Sequence, residues 1–284
     1  MHIVMDDAGD VPAFLREELD IYIIPVNIMF GTEEYLSGVD IDHSAFYAKV
    51  KEVGDHNFPK TSQPTPYQFE QAYGELIDQG VKEILTITVS EKLSGTYASA
   101  VAAARTLEGK ATFHLFDSQA GSAVQGMMVI EAARMARDGA GIQTILARLE
   151  RMRERFSCYF LIDSLEYAVK GGRVSSLRSA MATLLNIKPI MTLDDGLIVE
   201  SSKVRTYKKA RQYMLDAAMN DVGQQPVSLS VMHAGQPDAG KALLEKARAH
   251  LNATEEFLVD MSIAVAINLG PGALGLVAMP QELE

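Results

Sequence analysis

Alternating strand-like and helix-like segments in the first half of the chain constrain its fold most strongly. The β-branched, apolar run at Ile84–Val89 predicts a buried strand. Strong helix formers at Ala100–Arg105 predict a helix directly after it. The same order recurs at His2–Met5 with Pro12–Leu19, and Ala111–Phe116 predicts another strand. Strands that alternate with helices indicate a parallel sheet covered by helices.

Further helices and extended segments of the first half are predicted from residues that cap or end helices. Ile21–Phe30 is predicted to be extended, and Asp42–Val53 to be a helix capped by Asp40 or Asp42. Gly80 closes a helix predicted at Pro66–Gln79. Two more helices are expected at Ala123–Arg137 and Ile142–Arg155. In such sheets, ligands bind at the carboxyl ends of the strands, where Asp6, Ser94 and Asp117 are expected.

The second half mixes hairpins with helices. Asp194-Asp195-Gly196 predicts a tight turn between two strands. Strands are predicted at Phe156–Ile162, Pro189–Leu193, Leu197–Lys203, Val227–Met232, Phe257–Val259, Ile263–Ile267 and Leu274–Met279. Helices are predicted at Ser164–Val169, Ser176–Leu185, Thr206–Asn220 and Gly240–Leu251. We therefore expect a two-domain α/β protein, with a parallel α/β domain at 1–155 and an α+β domain with a mixed or antiparallel sheet at 156–284.

Composition excludes several classes of protein. The 284 residues carry a net charge of −11, which argues against a protein built to coat nucleic acid. The single cysteine, Cys158, excludes an internal disulfide framework, and its apolar neighbours predict a buried thiol. The start of the chain lacks the basic region of a signal peptide, and no apolar run is long enough for a membrane span. We expect a cytoplasmic protein.

The junction between the strand at Ile84–Val89 and its helix is a candidate anion site. Unpaired N–H groups and the positive end of the helix dipole favour an anion there. Gly95 allows close approach to the backbone, and Ser94 or Thr96 could add a hydroxyl donor. The alternative is that Ser94 only caps its helix.

The segment Thr61-Ser62-Gln63-Pro64-Thr65-Pro66 is a second candidate. Its two prolines favour an extended backbone, which would present Thr61 and Ser62 as oriented donors. A simple turn into the next helix is the alternative.

Basic residues are concentrated in the segment from Lys203 to Arg211, with Lys170 and Arg173 upstream. In a chain with net charge −11, this segment suits a phosphate or an acidic partner. For the protein as a whole, transient contact with a membrane surface is a further expectation. The alternative is a solvated helix face.

Two glycine patterns suggest nucleotide binding. Gly270–Gly275 fits G-x-G-x-x-G, but too few residues follow for the helix and strand of a dinucleotide unit. Gly235–Lys241 fits G-x-x-x-x-G-K, although Ala242 replaces the metal-binding hydroxyl and Asp238 lies inside the loop. A nucleotide-dependent enzyme using this loop is one alternative function. The sequence contains no hydrolase or zinc motif, so no catalytic residue and no metal ligand is assigned.

Taken together, the segments resemble the DegV family of bacterial fatty-acid-binding proteins, which includes the FakB subunits of fatty acid kinase. The resemblance extends over nearly the whole chain. Its motifs, in order, are Thr61-Ser62-Gln63-Pro64, Leu93–Ala100, Asp117-Ser118, Leu165-Glu166-Tyr167, Gly171–Ser175, Leu185–Ile190, Asp195-Gly196, Lys203-Val204-Arg205 and Gly270–Gly275.

The resemblance implies a binding protein rather than an enzyme, with one long-chain fatty acid between two domains and no cofactor. By analogy, Thr61 or Ser62 and Ser94 with the Gly95 N–H hold the carboxylate. Asn268 occupies a position near the carboxylate where the family usually has His.

The resemblance also implies a partner. Arg173, Lys203 and Arg205 match basic positions that face a separate ATP-dependent fatty acid kinase, which phosphorylates the bound carboxylate. Several of the 14 methionines could line an apolar tunnel, although core filling accounts for most of them. Another amphipathic acid is the remaining alternative cargo.

Overall fold

The computed structural model describes residues 1–53, 57–174 and 187–282. The strands are β1 (His2–Asp6), β2 (Tyr22–Ile24), β3 (Asn27–Phe30), β4 (Glu33–Leu36), β5 (Lys60–Ser62), β6 (Glu83–Thr88), β7 (Thr112–Asp117), β8 (Ser157–Leu161), β9 (Lys188–Asp194), β10 (Leu197–Val204), β11 (Val227–His233), β12 (Ala253–Asp260) and β13 (Leu274–Pro280). The helices are α1 (Ala13–Glu18), α2 (His43–Val53), α3 (Pro66–Asp78), α4 (Thr96–Thr106), α5 (Ser122–Arg137), α6 (Ile142–Glu154), α7 (Leu165–Gly171), α8 (Tyr207–Val222), α9 (Pro237–Arg248) and α10 (Ile263–Leu269).

The first sheet is parallel throughout, in the order β2-β1-β6-β7. Its central strands are apolar and almost completely buried, as expected for a sheet that helices cover on both faces. The predicted parallel α/β arrangement is confirmed. Asp6, at the end of β1, and the loop after β6 therefore meet at one edge of the sheet.

A small antiparallel sheet, in the order β4-β3-β5, extends from the first sheet. The predicted extended segment from Ile21 to Phe30 is in fact two strands, β2 and β3, separated by Pro25 and Val26. Proline cannot donate to a strand ladder, so the chain leaves one sheet and enters the next at this point. Through β5, this small sheet positions Thr61 and Ser62.

The second large sheet has the order β10-β9-β8-β13-β11-β12. β11 and β12 are parallel, whereas the other neighbours are antiparallel, so the predicted mixed sheet is confirmed. β9 and β10 form the predicted hairpin. Its two turn residues, Asp195 and Gly196, have φ of +46° and +74°, as a type I′ turn requires.

Helix α5 lies between the two large sheets. It packs on β1 and β6 of one sheet and on β11 and β13 of the other, and it is buried from Ser122 to Ile130. At Gly126, an added Cβ would lie 2.0 Å from the Asp10 carbonyl oxygen, so only glycine permits this approach. One apolar core includes Leu85, Val129 and Val277. The domain boundary at 155/156 thus remains a prediction, because the core continues across it.

One predicted element is wrong. The sequence Ile263–Ile267 was expected to form a strand, but it lies in helix α10. The helix is buried on nearly every side, so its residues are apolar all round and show no helical period. The predicted helix at Ser176–Leu185 lies outside the described residues. Within the described part of the chain, no helix has the length and apolarity needed to cross a bilayer.

Candidate functional site

A cavity lies between the carboxyl edge of the parallel sheet and the inner face of the mixed sheet. It encloses about 840 Å³ of empty space, its opening to solvent included. The described residues that line it are Asp6, Ala8, Val26, Thr61, Gln63, Val89, Leu93, Ser94, Thr96, Gly121, Ser122, Cys158, Phe160, Arg173, Leu193, Ile198, Met232, Ala264, Val265, Asn268 and Leu269. These residues come from both sides of the predicted domain boundary.

The lining differs between the two ends of the cavity. Thr61, Ser94 and Asn268 are half-buried, and Gln63 and Arg173 are exposed, so most of the polar lining side chains lie toward solvent. The exceptions among the described lining residues are Asp6, Thr96 and Ser122, which are buried. Cys158, Phe160, Met232 and the other lining residues of the mixed sheet are largely apolar and buried. Such a cavity is suited to a molecule with a polar head and an apolar body.

The Ser94–Thr96 junction differs from a simple helix cap. Gly95, not Ser94, is the N-cap residue of α4, and no side chain of the described residues caps the start of this helix. The Ser94 and Thr96 hydroxyls instead hydrogen-bond each other at 2.8 Å. The first N–H groups of α4 therefore lack a side-chain cap, which leaves the positive end of the helix available to an anion.

Gln63 covers Gly95 and was missed as a site residue. A Cβ on Gly95 would lie 2.3 Å from Gln63 Oε1, and Gln63 Nε2 donates to Ser99 Oγ at 3.2 Å. The glycine is thus needed for the close approach of the Gln63 amide. Gln63 lies within the candidate segment Thr61–Pro66, but no pattern in the sequence distinguishes it from its neighbours there.

The two hydroxyls of β5 have different environments. Thr61 lines the cavity, whereas the neighbouring Ser62 is not among the lining residues of the described chain. Successive side chains of a strand point to opposite faces, so only one of the two can face the cavity. A capping box at Thr65 and Gln68 starts α3 and fixes the loop that follows β5.

Asn268 and Arg173 meet the cavity from the mixed-sheet side. Asn268 Nδ2 donates to the Ala264 carbonyl at 2.8 Å, and its buried Oδ1 has no partner in the described structure. Arg173 follows α7; its Nη1 donates to the Gly171 carbonyl at 2.7 Å, and its Nε contacts the Leu93 carbonyl at 3.4 Å. Arg173 therefore lies at the opening of the cavity, next to the loop that holds Ser94.

The other two predicted basic residues lie elsewhere. Lys203 is exposed on β10 and pairs with Glu200 at 2.9 Å. Arg205 is exposed just before α8. Neither residue lines the cavity within the described structure.

The carboxyl of Asp6 is part of the cavity wall and is also completely buried. It accepts hydrogen bonds from the Val89 and Ala8 amides at 2.7 and 3.0 Å and from Gln125 Nε2 at 3.1 Å. Burial raises the pKa of Asp6, against the opposing effect of these donors. This residue joins two loops at the sheet edge. The third predicted edge residue, Asp117, binds loop amides outside the cavity.

The cysteine is buried as predicted. Burial raises the pKa of the Cys158 thiol to about 12, so the thiol remains protonated and behaves as a small apolar group. Of the methionines, Met232 lines the cavity, whereas Met127 and Met128 belong to the core.

The tip of the β9–β10 hairpin contacts the loop that follows β6, on the parallel-sheet side of the cavity. Ser90 Oγ donates to the Gly196 carbonyl at 2.7 Å, in a buried contact. Lys92 pairs with Asp195 at 2.5 Å. Leu193 and Ile198 are cross-strand partners in this hairpin, and both line the cavity. The hairpin therefore forms one wall and is attached at its tip.

The alternative nucleotide loop does not have the required geometry. Gly240 and Lys241 lie inside α9 rather than in a loop, and a Cβ on Gly240 would lie 2.8 Å from His233 and Leu258. Gly235 donates its N–H to Asp260 at 3.2 Å, so this amide is not free for a phosphate. In the described part of the chain, no cluster of acidic, histidine and cysteine side chains could hold a metal ion.

The amino-acid sequence is similar to those of known proteins. Residues 1–281 match the family model described as "Uncharacterised protein, DegV family". Protein DegV of Bacillus subtilis is 31% identical over 96% of this chain and 97% of its own.

Solved structures are also similar to this chain over nearly its whole length. A DegV family protein from Thermus thermophilus, described as binding fatty acid, superposes with a TM-score of 0.91 at 31% identity, covering 98% of this chain and 99% of its own. A stearic acid-binding protein from Eubacterium ventriosum superposes with a TM-score of 0.91 at 25% identity, covering 99% of each chain. Both of these structures are described as those of fatty-acid-binding proteins.

Proposed function

Because the chain belongs to the DegV family, we propose that it binds one long-chain fatty acid in the cavity between its two sheets. The observation that carries this proposal is the polarity of the cavity, with the half-buried hydroxyl groups of Thr61 and Ser94 and a helix N-terminus toward its opening and mainly apolar side chains in its interior. Fatty acid binding by the relatives from Thermus thermophilus and Eubacterium ventriosum supports it. The ligand would lie between the two proposed domains, 1–155 and 156–284.

The carboxylate is assigned to the opening of the cavity. Thr61 and Ser94 supply hydroxyl groups there, the buried Thr96 hydroxyl lies next to that of Ser94, and Asn268 lines the cavity from α10. Gly95 is not among the described lining residues, and its proposed part is the backbone N–H at the start of α4. Ser62 lies next to the site, but we assign it no contact with the carboxylate, because it does not line the cavity of the described chain. Hydrogen bonds to a charged group contribute roughly 1.5–3 kcal/mol each, so these groups would fix the orientation of the acid.

The tail is assigned to the apolar interior. Each buried methylene contributes about 0.8 kcal/mol, so a long tail supplies on the order of 10 kcal/mol before the entropic cost of binding. Cys158, Phe160, Leu193, Ile198 and Met232 offer the apolar surface for this contact. The tail thus provides affinity, and the hydroxyl groups provide orientation.

The proposal is tested by extracting the purified protein with organic solvent and identifying the extract by mass spectrometry. We expect a long-chain fatty acid in about equal amount to the protein. A protein without lipid, whose melting temperature no long-chain acid raises, would contradict the proposal. Recovery of a different amphipathic acid would support the same binding site but identify a different ligand.

A second part of the proposal concerns the partner. By resemblance, the bound carboxylate is presented to an ATP-dependent fatty acid kinase, and Arg173, Lys203 and Arg205 face that kinase. The exposure of Lys203 and Arg205 next to the basic start of α8 supports this assignment. Because the kinase uses ATP, the proposal places the protein in the cytoplasm, and it assigns the chemical step to the kinase.

The partner is tested with such a kinase, ATP and the loaded protein. We expect acyl-phosphate only when all three are present, and we expect Lys203→Glu and Arg205→Glu to slow its formation without changing fatty acid affinity. The matched control is Lys241→Glu, which changes an exposed lysine on α9. Equal rates for all of these variants would remove the basic segment from the partner surface.

A further inference from the structure

A second cavity lies between α5, α6 and the end of the mixed sheet farther from the first cavity. It encloses about 730 Å³ of empty space, its opening to solvent included. It reaches β11 at Ser228, whereas the first cavity reaches the same strand at Met232. Four residues of a strand span about 13 Å, and among the described residues none lines both cavities. The second cavity is therefore a separate space that fatty acid binding does not explain.

The floor of the second cavity is apolar. Met127 of α5, Met152 of α6, Phe257 of β12 and Met279 of β13 line it, and all four side chains are buried. Methionine side chains are flexible and polarizable, so they adapt to apolar groups of different shapes. This floor is suited to an aliphatic or aromatic group of a small ligand.

The rim of the second cavity is made of paired opposite charges. Arg134 and Glu255 form a two-point ion pair, with hydrogen bonds of 3.0 and 2.5 Å. Arg148 Nε donates to Glu131 Oε1 at 2.7 Å, and Arg148 Nη2 donates to the Gln281 carbonyl at 3.0 Å. These contacts join α5 and α6 to the mixed sheet, so the charged groups of the rim are held in place before a ligand binds.

The Arg148–Glu131 pair keeps hydrogen-bonding capacity for a ligand. Within the described part of the chain, neither Arg148 Nη1 nor Glu131 Oε2 makes a hydrogen bond. The two side chains are 18% and 28% exposed, so water screens their charges only partly. A ligand carboxylate would complement Arg148, and a ligand ammonium would complement Glu131. A ligand with only one of these charges would meet a like charge in the same pair.

We propose that the second cavity binds a small zwitterion with an apolar side chain, of the class of the free aliphatic and aromatic amino acids. The ammonium and the carboxylate of such a molecule are attached to one carbon atom, so they can face the adjacent charges of Glu131 and Arg148 together. The side chain of the ligand packs on the methionines of the floor. This site is independent of the proposed fatty acid site, because the two cavities share no described lining residue.

The test compares L-phenylalanine with 3-phenylpropionate and 2-phenylethylamine, which keep the aromatic body but carry only the acid or only the amine. Each compound is titrated into the protein by calorimetry, without and with added palmitate, and L-leucine serves as a second amino acid. We expect both amino acids to bind with a Kd of about 1 mM or tighter. L-Phenylalanine should bind about tenfold more tightly than either analogue, because each analogue lacks one charge-assisted contact.

Two variants assign the contacts. Arg148→Gln and Glu131→Gln should each lower the affinity for L-phenylalanine about tenfold, because each removes one charge. Gln at position 131 can still accept the hydrogen bond from Arg148 Nε, so Glu131→Gln tests the site even if Arg148→Gln does not fold. Arg151→Gln, an exposed change on the same helix, is the matched control and should leave binding unchanged.

Several results would overturn the inference. They are failure of both amino acids to bind, equal affinity for L-phenylalanine and its two analogues, or unchanged binding in Glu131→Gln. Loss of amino acid binding on addition of palmitate would place the amino acid in the first cavity and would also overturn the inference. None of these results bears on fatty acid binding, which the lipid extraction tests separately.

Discussion

Replacing Asp10 by Asn should change how the stability of the protein depends on pH. The Asp10 carboxyl is buried and accepts hydrogen bonds from the Ser122 hydroxyl and, at 2.8 Å, from the Ser262 amide. Burial raises its pKa from 3.8 to about 6, although these donors and the nearby His43 act in the opposite direction. The folded protein therefore holds a proton that the unfolded chain releases at lower pH.

The sign and size of the effect follow from this difference. A raised carboxyl pKa in the folded state means that stability falls as pH rises from the unfolded value toward the folded one. The shift in the pKa of Asp10 from 3.8 to about 6 corresponds to about 3 kcal/mol in total, and about 2 kcal/mol of it is lost between about pH 4.5 and about pH 8. Asn has nearly the same shape and no charge, so this loss should be absent from the variant. Its Nδ2 can donate to Ser122 Oγ, whose proton can turn to Met232 Sδ, 2.9 Å away.

The assay is urea unfolding of the wild type and of Asp10→Asn across this range of pH. As the pH rises, the free energy of unfolding of the variant minus that of the wild type should increase by about 2 kcal/mol. Burial, helped by the charge of Asp10, raises the pKa of the neighbouring Asp7 to about 7, so both proteins should keep some pH dependence. The difference between the two curves reports Asp10 together with its effect on Asp7. Exposed Asp78→Asn is the matched control. Parallel curves for Asp10→Asn and the wild type would refute the reasoning.

Two other predictions concern the site and its wall. Thr61→Val keeps the shape of the side chain but removes its hydroxyl, so fatty acid affinity should fall about tenfold. The control is Ser62→Ala, which changes the next residue outside the cavity lining and should have little effect. Equal losses of affinity for the two variants in a binding titration would reject the assignment of Thr61. Gly196→Ala places a Cβ 2.6 Å from Ser90 Oγ at a φ of +74°, and should cost about 1 kcal/mol or more in unfolding free energy, measured by thermal or urea denaturation. An unchanged stability would mean that the hairpin tip is not held as described.

Local signals in the sequence predicted most of the fold. The Asp195-Gly196 turn specifies its hairpin because both residues tolerate positive φ, and the alternating pattern of the first half specifies the parallel sheet. Helix α10 was predicted wrongly because Ile263–Leu269 is buried on nearly all sides, so its composition resembles that of a buried strand. Periodicity is informative only where one face of an element is polar.

The candidate site was predicted less completely than the fold. Ser94 follows a predicted strand of the parallel sheet, so its position at the sheet edge could be expected. Thr61 was singled out from the two prolines that follow it, and its place beside Ser94 was implied only by the family resemblance. Gln63 could not be singled out, because its role depends on the close approach of its amide to Gly95, which is a tertiary contact. Leu193 and Ile198 line the cavity because of how the hairpin docks on Ser90, and no local pattern carries that information.

The position of α5 between the two sheets has a consequence for how the protein unfolds. The helix supplies apolar surface to both sheets, so neither sheet keeps its core if the other separates. The amide hydrogens of α5 should therefore be among the slowest to exchange with solvent, and their exchange should report the unfolding of the whole molecule rather than of one half. The parallel sheet and the mixed sheet should therefore unfold as one cooperative unit, even though the cavity lies between them.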